Sequence, residues 1–117
     1  MEKGEQMSKK TRSFMPMTTS AVALLGTQIA QARRERVWTA AELAERLDVT
    51  PYTVARIERG VPTVAIGLVF EAAALVGVPL FSATEAELPQ LVDAARHRLA
   101  LLPARVWAPD LDIDDNF

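Results

Sequence analysis

Two helix-start signals stand eleven residues apart in this chain, at Thr39 and Thr50, and Gly60 closes the stretch they open. Thr39 is followed three residues on by Glu42. In this pattern the hydroxyl takes the third helical amide and the carboxylate takes the amide of the cap itself. Trp38 and Leu43 occupy the two positions of a hydrophobic staple across the same start. Thr50 precedes Pro51, and proline suits a first helical position because the amide it lacks has no partner there. Val49 and Val54 repeat the staple spacing, and a residue such as Gly60 closes a helix in the left-handed conformation. The signals predict helices over about Ala40–Leu47 and Pro51–Arg59, with only Asp48, Val49 and Thr50 between them.

The flanking sequence is also helical. A first helix is expected over about Ala21–Arg36, with Leu25, Ile29 and Ala32 as its apolar stripe. Arg33, Arg34 and Arg36 crowd its end, where unpaired carbonyls favour cations. A fourth is expected over about Val64–Val76, capped by Thr63 and ended by Gly77 and Pro79. It is apolar nearly all round, which predicts burial on most sides, under a fifth helix or against a partner subunit. The fifth starts at Thr84, with Glu87 completing a second capping box, or near Pro89 after a short 3₁₀ turn. Leu88, Leu91, Val92, Ala95, Leu99 and Leu102 fall on one stripe, and Pro103 ends it. With 19 alanines, 6% aromatic residues and few alternating β-branched runs, the chain is expected to be all-α. The second and third helices, two turns each and tightly joined, then make a helix-turn-helix.

This punctuation divides the 117 residues into a flexible basic arm at 1–19, a helix-turn-helix domain at 20–81, a C-terminal dimerisation or packing helix at 82–103 and an acidic tail at 104–117. Met7, Met15 and Met17 within the arm each offer an alternative start. Charge follows the division. Residues 1–61 carry 10 Lys/Arg against 7 Asp/Glu, whereas residues 62–117 carry 3 against 8. The basic half suits a polyanion and the acidic half avoids one.

Several classes are excluded. The absence of cysteine removes disulfides, thiolate metal sites and thiol nucleophiles. The most apolar stretch, Val64 to Phe81, holds Glu71 and Pro79 and falls short of the ~20 residues of a membrane span. The apolar run Ala21–Leu25 is shorter than the ~7–15 residues of a signal-peptide core. The chain is therefore expected to be cytoplasmic. The lone histidine, His97, lies between Arg96 and Arg98 in a helix, and no phosphate-binding loop or nucleophile elbow occurs. Four aspartates in the tail lack the glycine turn and closing glutamate of a calcium loop. No enzyme activity, cofactor or metal is expected.

Residues 26–78 resemble the Cro/repressor class of helix-turn-helix domains, the Xre family. The resemblance is carried by Gly26, Ile29, Arg33, Thr39, Glu42-Leu43-Ala44, Leu47, Val49-Thr50, Thr53-Val54, Ile57-Glu58, Gly60 and Leu75-Val76-Gly77-Val78. It covers about half the chain and implies an all-α, five-helix, lambda-repressor-like architecture with an additional C-terminal helix and tail. A narrower resemblance is to HipB-like antitoxins paired with HipA-type Ser/Thr kinase toxins. It rests on Ile57-Glu58-Arg59-Gly60 before a short connection, Leu102-Pro103-Ala104-Arg105-Val106, and the terminal Asp114-Asp115-Asn116-Phe117.

The resemblance implies a transcriptional repressor on a double-stranded DNA operator, with the third helix in the major groove. Thr39 and Thr50 place hydroxyls at two helix starts, where they can meet phosphates and fix register. Tyr52, Thr53 and Arg56 are the outward candidates for base readout, because Val54 and Ile57 must face the core. Arg56 can grip guanine O6 and N7 together, and Arg59, one turn on, suits the backbone. Ala40 and Pro51 complete the DNA-facing set, at positions where the family often carries polar residues. With fewer polar side chains there, shape readout supplies part of the specificity. Lys9, Lys10 and Arg12 of the arm can reach a minor groove.

In the resembled family the positions of Arg33 and Glu58 form a partly buried ion pair joining the first and third helices, so both are structural. A homodimer is expected, since two-fold proteins bind half-sites about 34–36 Å apart. The tail alternates acidic and apolar residues, with Trp107 and Phe117 as candidate anchors on a partner, a HipA-like kinase toxin. The alternatives are a stand-alone Xre-type regulator and, favoured by the acidic second half, a protein-binding adaptor on the same helical domain.

Overall fold

The computed structural model describes residues 13–106. Five helices and no strand are present among them: α1 (Pro16–Glu35), α2 (Ala40–Leu47), α3 (Pro51–Glu58), α4 (Ile66–Val76) and α5 (Glu87–Ala100). The fold is all-α. It divides into two units, Met1–Leu80 with α1 to α4 and Phe81–Phe117 with α5.

The first unit is organised by apolar positions that the helical period brings together. Ile29 of α1, Leu43, Ala44 and Leu47 of α2, Val54 and Ile57 of α3, and Val69, Ala72, Ala73 and Val76 of α4 are buried as one cluster. Ile29, Leu43 and Val54 are fully enclosed. Trp38 and Val49, the outer members of the two staples, pack against this core from the helix starts.

Each helix in the unit is closed by one residue in the left-handed region. Val37 (φ 61°) follows α1, Asp48 (φ 59°) follows α2, Gly60 (φ 75°) follows α3 and Gly77 (φ 81°) follows α4. Amides on the next residue reach back in every case: Trp38 to the Arg33 carbonyl, Val49 to Ala44, Val61 to Arg56 and Val78 to Ala73, at 2.8–3.1 Å. This is the Schellman closure, which satisfies carbonyls that a helix end otherwise leaves unpaired. Gly60 and Gly77 mark two of these closures in the sequence. Val37 and Asp48 give no such signal.

Two glycines are also demanded by close approach. A Cβ on Gly26 would stand 2.5 Å from the Ile57 carbonyl oxygen and 2.9 Å from that of Glu58. One on Gly60 would stand 2.7 Å from Ala23 Cα. Backbone of α1 therefore lies directly on the C-terminal end of α3. The cross-brace is completed by Arg36, whose Nε donates to the Val76 carbonyl at 2.9 Å and so ties the end of α1 to the end of α4.

Three expectations change. First, α1 begins at Pro16 rather than near Ala21, so residues 16–19 of the expected arm are helical. Proline at the first position is pre-set for a helix, and no side chain caps this start, which is why the sequence gives little sign of it. Second, α4 begins at Ile66 rather than Val64, with Ala65 rather than Thr63 as its cap residue. Third, α4 is buried or half-buried at seven of its eleven positions and keeps one exposed face in the single chain. Ile66, Gly67, Glu71 and Ala74 form an exposed face. Gly67, Ala74 and Glu71 leave little apolar area on that face apart from Ile66, which is 68% exposed. The boundaries of α2 match the expectation, and α3 ends one residue early.

In the second unit the Thr84–Glu87 capping box forms. The Glu87 amide donates to Thr84 Oγ1 at 3.1 Å, and the Thr84 amide donates to Glu87 Oε1 at 2.8 Å. The helix itself begins at Glu87, between the two expected starts: Ala86 is its cap residue, the Thr84–Glu87 bonds brace the turn before it, and Pro89 sits in its first turn. No residue of α5 is buried.

Candidate nucleic-acid interface

The cap residues fix where α2 and α3 begin. Thr39 Oγ1 accepts the Glu42 amide at 3.0 Å, and Glu42 Oε1 accepts the Thr39 amide at 2.7 Å. Thr50 Oγ1 accepts the Thr53 amide at 3.2 Å and shares a second bond of 3.2 Å with Thr53 Oγ1. Each such cap contributes about 1 kcal/mol to the helix it starts. Both threonines are exposed, and each cap bond uses the hydroxyl oxygen as acceptor, so the Thr39 hydroxyl proton remains for an external acceptor such as a phosphate. The Thr50 hydroxyl can turn outward while Thr53 donates to it.

The α3 helix presents its outward face along one side. Val54 and Ile57 point into the core, which leaves Pro51 and Tyr52 exposed at the head of the helix and Arg59 exposed at its end. Tyr52 shows 69% of its surface to solvent, large for an aromatic residue. Thr53 and Arg56 are half-buried. Arg56 Nη2 donates to Thr63 Oγ1 at 3.2 Å, which leans the guanidinium toward the α3–α4 connection. That bond uses one of its five donors and leaves a fork for a bidentate acceptor. Ala40 is half-buried and packs against the core, so only its edge meets solvent.

Arg33 and Glu58 stand apart from this face. Arg33 Nε and Nη2 donate to the two Glu58 carboxylate oxygens at 2.6 and 3.0 Å, and Nη1 donates to the Trp38 carbonyl at 2.8 Å. Both side chains are nearly closed to solvent, at 10% and 13% exposure. The hydrogen bond to Glu58 raises the Arg33 pKa above its ordinary value, against the opposing effect of burial. With its guanidinium committed in this way, Arg33 joins α1, the start of α2 and the end of α3.

Three contacts near the interface have no direct signal in the sequence. Arg46 folds back along α2, stacks on the Trp38 ring at 3.9 Å from its centroid, and donates to the Glu42 carbonyl. Arg36 approaches the same ring at 5.7 Å. Thr63 receives Arg56 rather than capping α4. An arginine one residue before the end of a short amphipathic helix carries no mark of the aromatic residue it covers. Trp107, Phe117 and the arm residues Lys9, Lys10 and Arg12 lie outside the described residues.

Residues 24–91, more than half of the chain, match the family described as the helix-turn-helix domain. The chain belongs to that family. No curated protein and no solved structure matches it. The match supports the Xre-type class and marks the chain as a DNA-binding regulator by its domain. Among the described residues, no helix is long and apolar enough to cross a membrane.

Proposed function

We propose that the protein is a cytoplasmic, homodimeric repressor that binds a double-stranded operator in its own promoter and acts as the antitoxin of a HipA-like kinase. The observation that supports the DNA reading best is the outward face of α3. Pro51, Tyr52, Thr53, Arg56 and Arg59 are spared from the core, between the capped starts at Thr39 and Thr50. Phosphates flanking the groove meet Thr39, Thr50 and Arg59, and the bases meet Tyr52, Thr53 and Arg56. Ala40 and the Pro51 ring make van der Waals contact only. Arg33 and Glu58 hold α3 at its angle and touch no DNA. A dimer supplies the second half-site that one short recognition helix needs.

The antitoxin role rests on the tail sequence, where Trp107 and Phe117 anchor an acidic peptide on the kinase. DNase footprinting of the region upstream of the gene tests the repressor. Two protected half-sites centred one helical turn apart are expected, and uniform cleavage refutes it. Co-expression with a neighbouring kinase gene tests the antitoxin. A complex that dissociates when Trp107 and Phe117 are both changed to alanine supports it, and failure to form a complex with the intact chain refutes it.

A further inference from the structure

We infer that α5 is the self-association surface and that two copies pair antiparallel through it; this deepens the homodimeric reading and rests on it. A 14-residue helix with no buried residue is marginal alone in water, so this helix needs a cover. Its stripe is exposed: Leu91 at 49%, Val92 at 43%, Leu99 at 67% and Leu102 at 64%.

The stripe is also symmetric. Within α5, Leu91 and Leu99 lie four residues either side of Ala95. Reversing the helix end for end about Ala95 superposes leucine on leucine, and the small alanine lets two helices approach at the axis. A second copy of this chain running the opposite way therefore fits the stripe.

Charge selects that direction. Glu87 and Arg98 are both exposed and lie eleven residues apart, which is about three turns at 3.6 residues per turn, so they share one flank of the stripe. In an antiparallel pair that flank meets its own copy, so the acidic first turn of each helix lies toward the basic last turn of the other, with Glu87 and Arg98 five residues, about 7.5 Å, out of register when the pair is centred on Ala95. A parallel pair would place the acidic first turn beside the other acidic first turn, and the His97–Arg98 last turn beside its like, with the helix dipoles aligned. Antiparallel pairing reverses all three repulsions.

The test uses the full chain, whose lack of cysteine makes single-cysteine variants unambiguous. Sedimentation equilibrium of the unaltered chain is expected to give a dimer. Leu91→Glu with Leu99→Glu should give a monomer in which α1 to α4 still unfold cooperatively and the helical signal falls by no more than the share of α5, since both side chains are exposed in the single chain and lie outside the core of the first unit. Arg98→Glu, which sets an acidic last turn near the partner copy's acidic first turn, should raise the dimer dissociation constant about threefold, and Glu87→Gln should recover part of that loss. Under oxidation Ala95→Cys should cross-link to itself. Leu99→Cys should not, because in this register its two copies stand eight residues apart along the axis, about 12 Å. Efficient self-cross-linking of Leu99→Cys overturns the antiparallel pairing. A dimer that survives the double glutamate change overturns α5 as the interface while leaving a homodimer in place. A monomer from the unaltered chain overturns the inference and the dimeric reading together.

Discussion

Arg33 grips both carboxylate oxygens of Glu58, at 2.6 and 3.0 Å, across twenty-five residues of sequence. The pair sets the angle between α1 and α3, and so the angle at which α3 meets a groove. Removing one partner leaves the other charge nearly closed to solvent. Glu58→Ala should therefore destabilise the domain by about 3 kcal/mol in urea denaturation. Replacing both with apolar residues, Arg33→Met with Glu58→Leu, should recover most of the loss. Because the Arg33 pKa is raised by its bond to Glu58, its contribution is fully present below the ordinary arginine value and fades only as pH rises through the raised one. Raising the pH into the mildly alkaline range should leave this contribution intact.

Val37 holds a conformation that costs an L-residue about 1–2 kcal/mol, and a β-branched side chain is a poor choice there. It is 85% exposed, so no packing is lost with its side chain. Val37→Gly should stabilise the domain by about 1 kcal/mol, read as a rise in the urea midpoint without a change in slope. Asp48→Gly should stabilise less, since aspartate tolerates the left-handed region better.

Gly26 works in the opposite sense. Alanine has the higher helix propensity, by about 1 kcal/mol, and Gly26 lies inside α1. The added Cβ would nevertheless meet the Ile57 carbonyl oxygen at 2.5 Å, and that atom belongs to the backbone. Gly26→Ala should destabilise by about 2 kcal/mol, measured by thermal unfolding. Stabilisation would show that α1 and α3 do not cross as closely as described.

How much of this was legible depended on whether a device is local. The starts of α2 and α3 were legible because each cap is a contact between residues three apart, Thr39 with Glu42 and Thr50 with Thr53. The start of α1 was not, since it has no capping side chain. Val37 and Asp48 take glycine-like conformations without being glycine, so the helix ends they close carried no flag. The exposed face of α4 was hidden because hydropathy counts Gly67 and Ala74 as apolar although neither has much surface to bury, and because the exposed Ile66 reads like a core residue. In the interface, the outward set on α3 followed from the helical period once Val54 and Ile57 were placed inside. The lean of Arg56 onto Thr63, seven residues on, depends on where the chain goes after α3 and has no local signature.

Thr63→Val should free Arg56 from its lean without altering α4, which Thr63 does not cap. Stability should change by less than about 0.5 kcal/mol, as for surface positions in general. Affinity for the operator should rise or fall with no change in salt slope, since no charge is altered. A change of slope would place Thr63 itself against the phosphates.

The central claim is that α3 reads DNA, and fluorescence anisotropy tests it most directly. The full chain, Arg56→Ala and Arg59→Ala are titrated against the DNA upstream of the gene and a scrambled duplex, at low and physiological salt. Tight binding to the upstream DNA alone is predicted. Arg56→Ala should cost about 1–3 kcal/mol on that DNA and narrow the gap to the scrambled duplex. Arg59→Ala should weaken both equally and reduce the salt slope by about one. Equal, weak binding to both duplexes, unchanged by either substitution, would contradict the account.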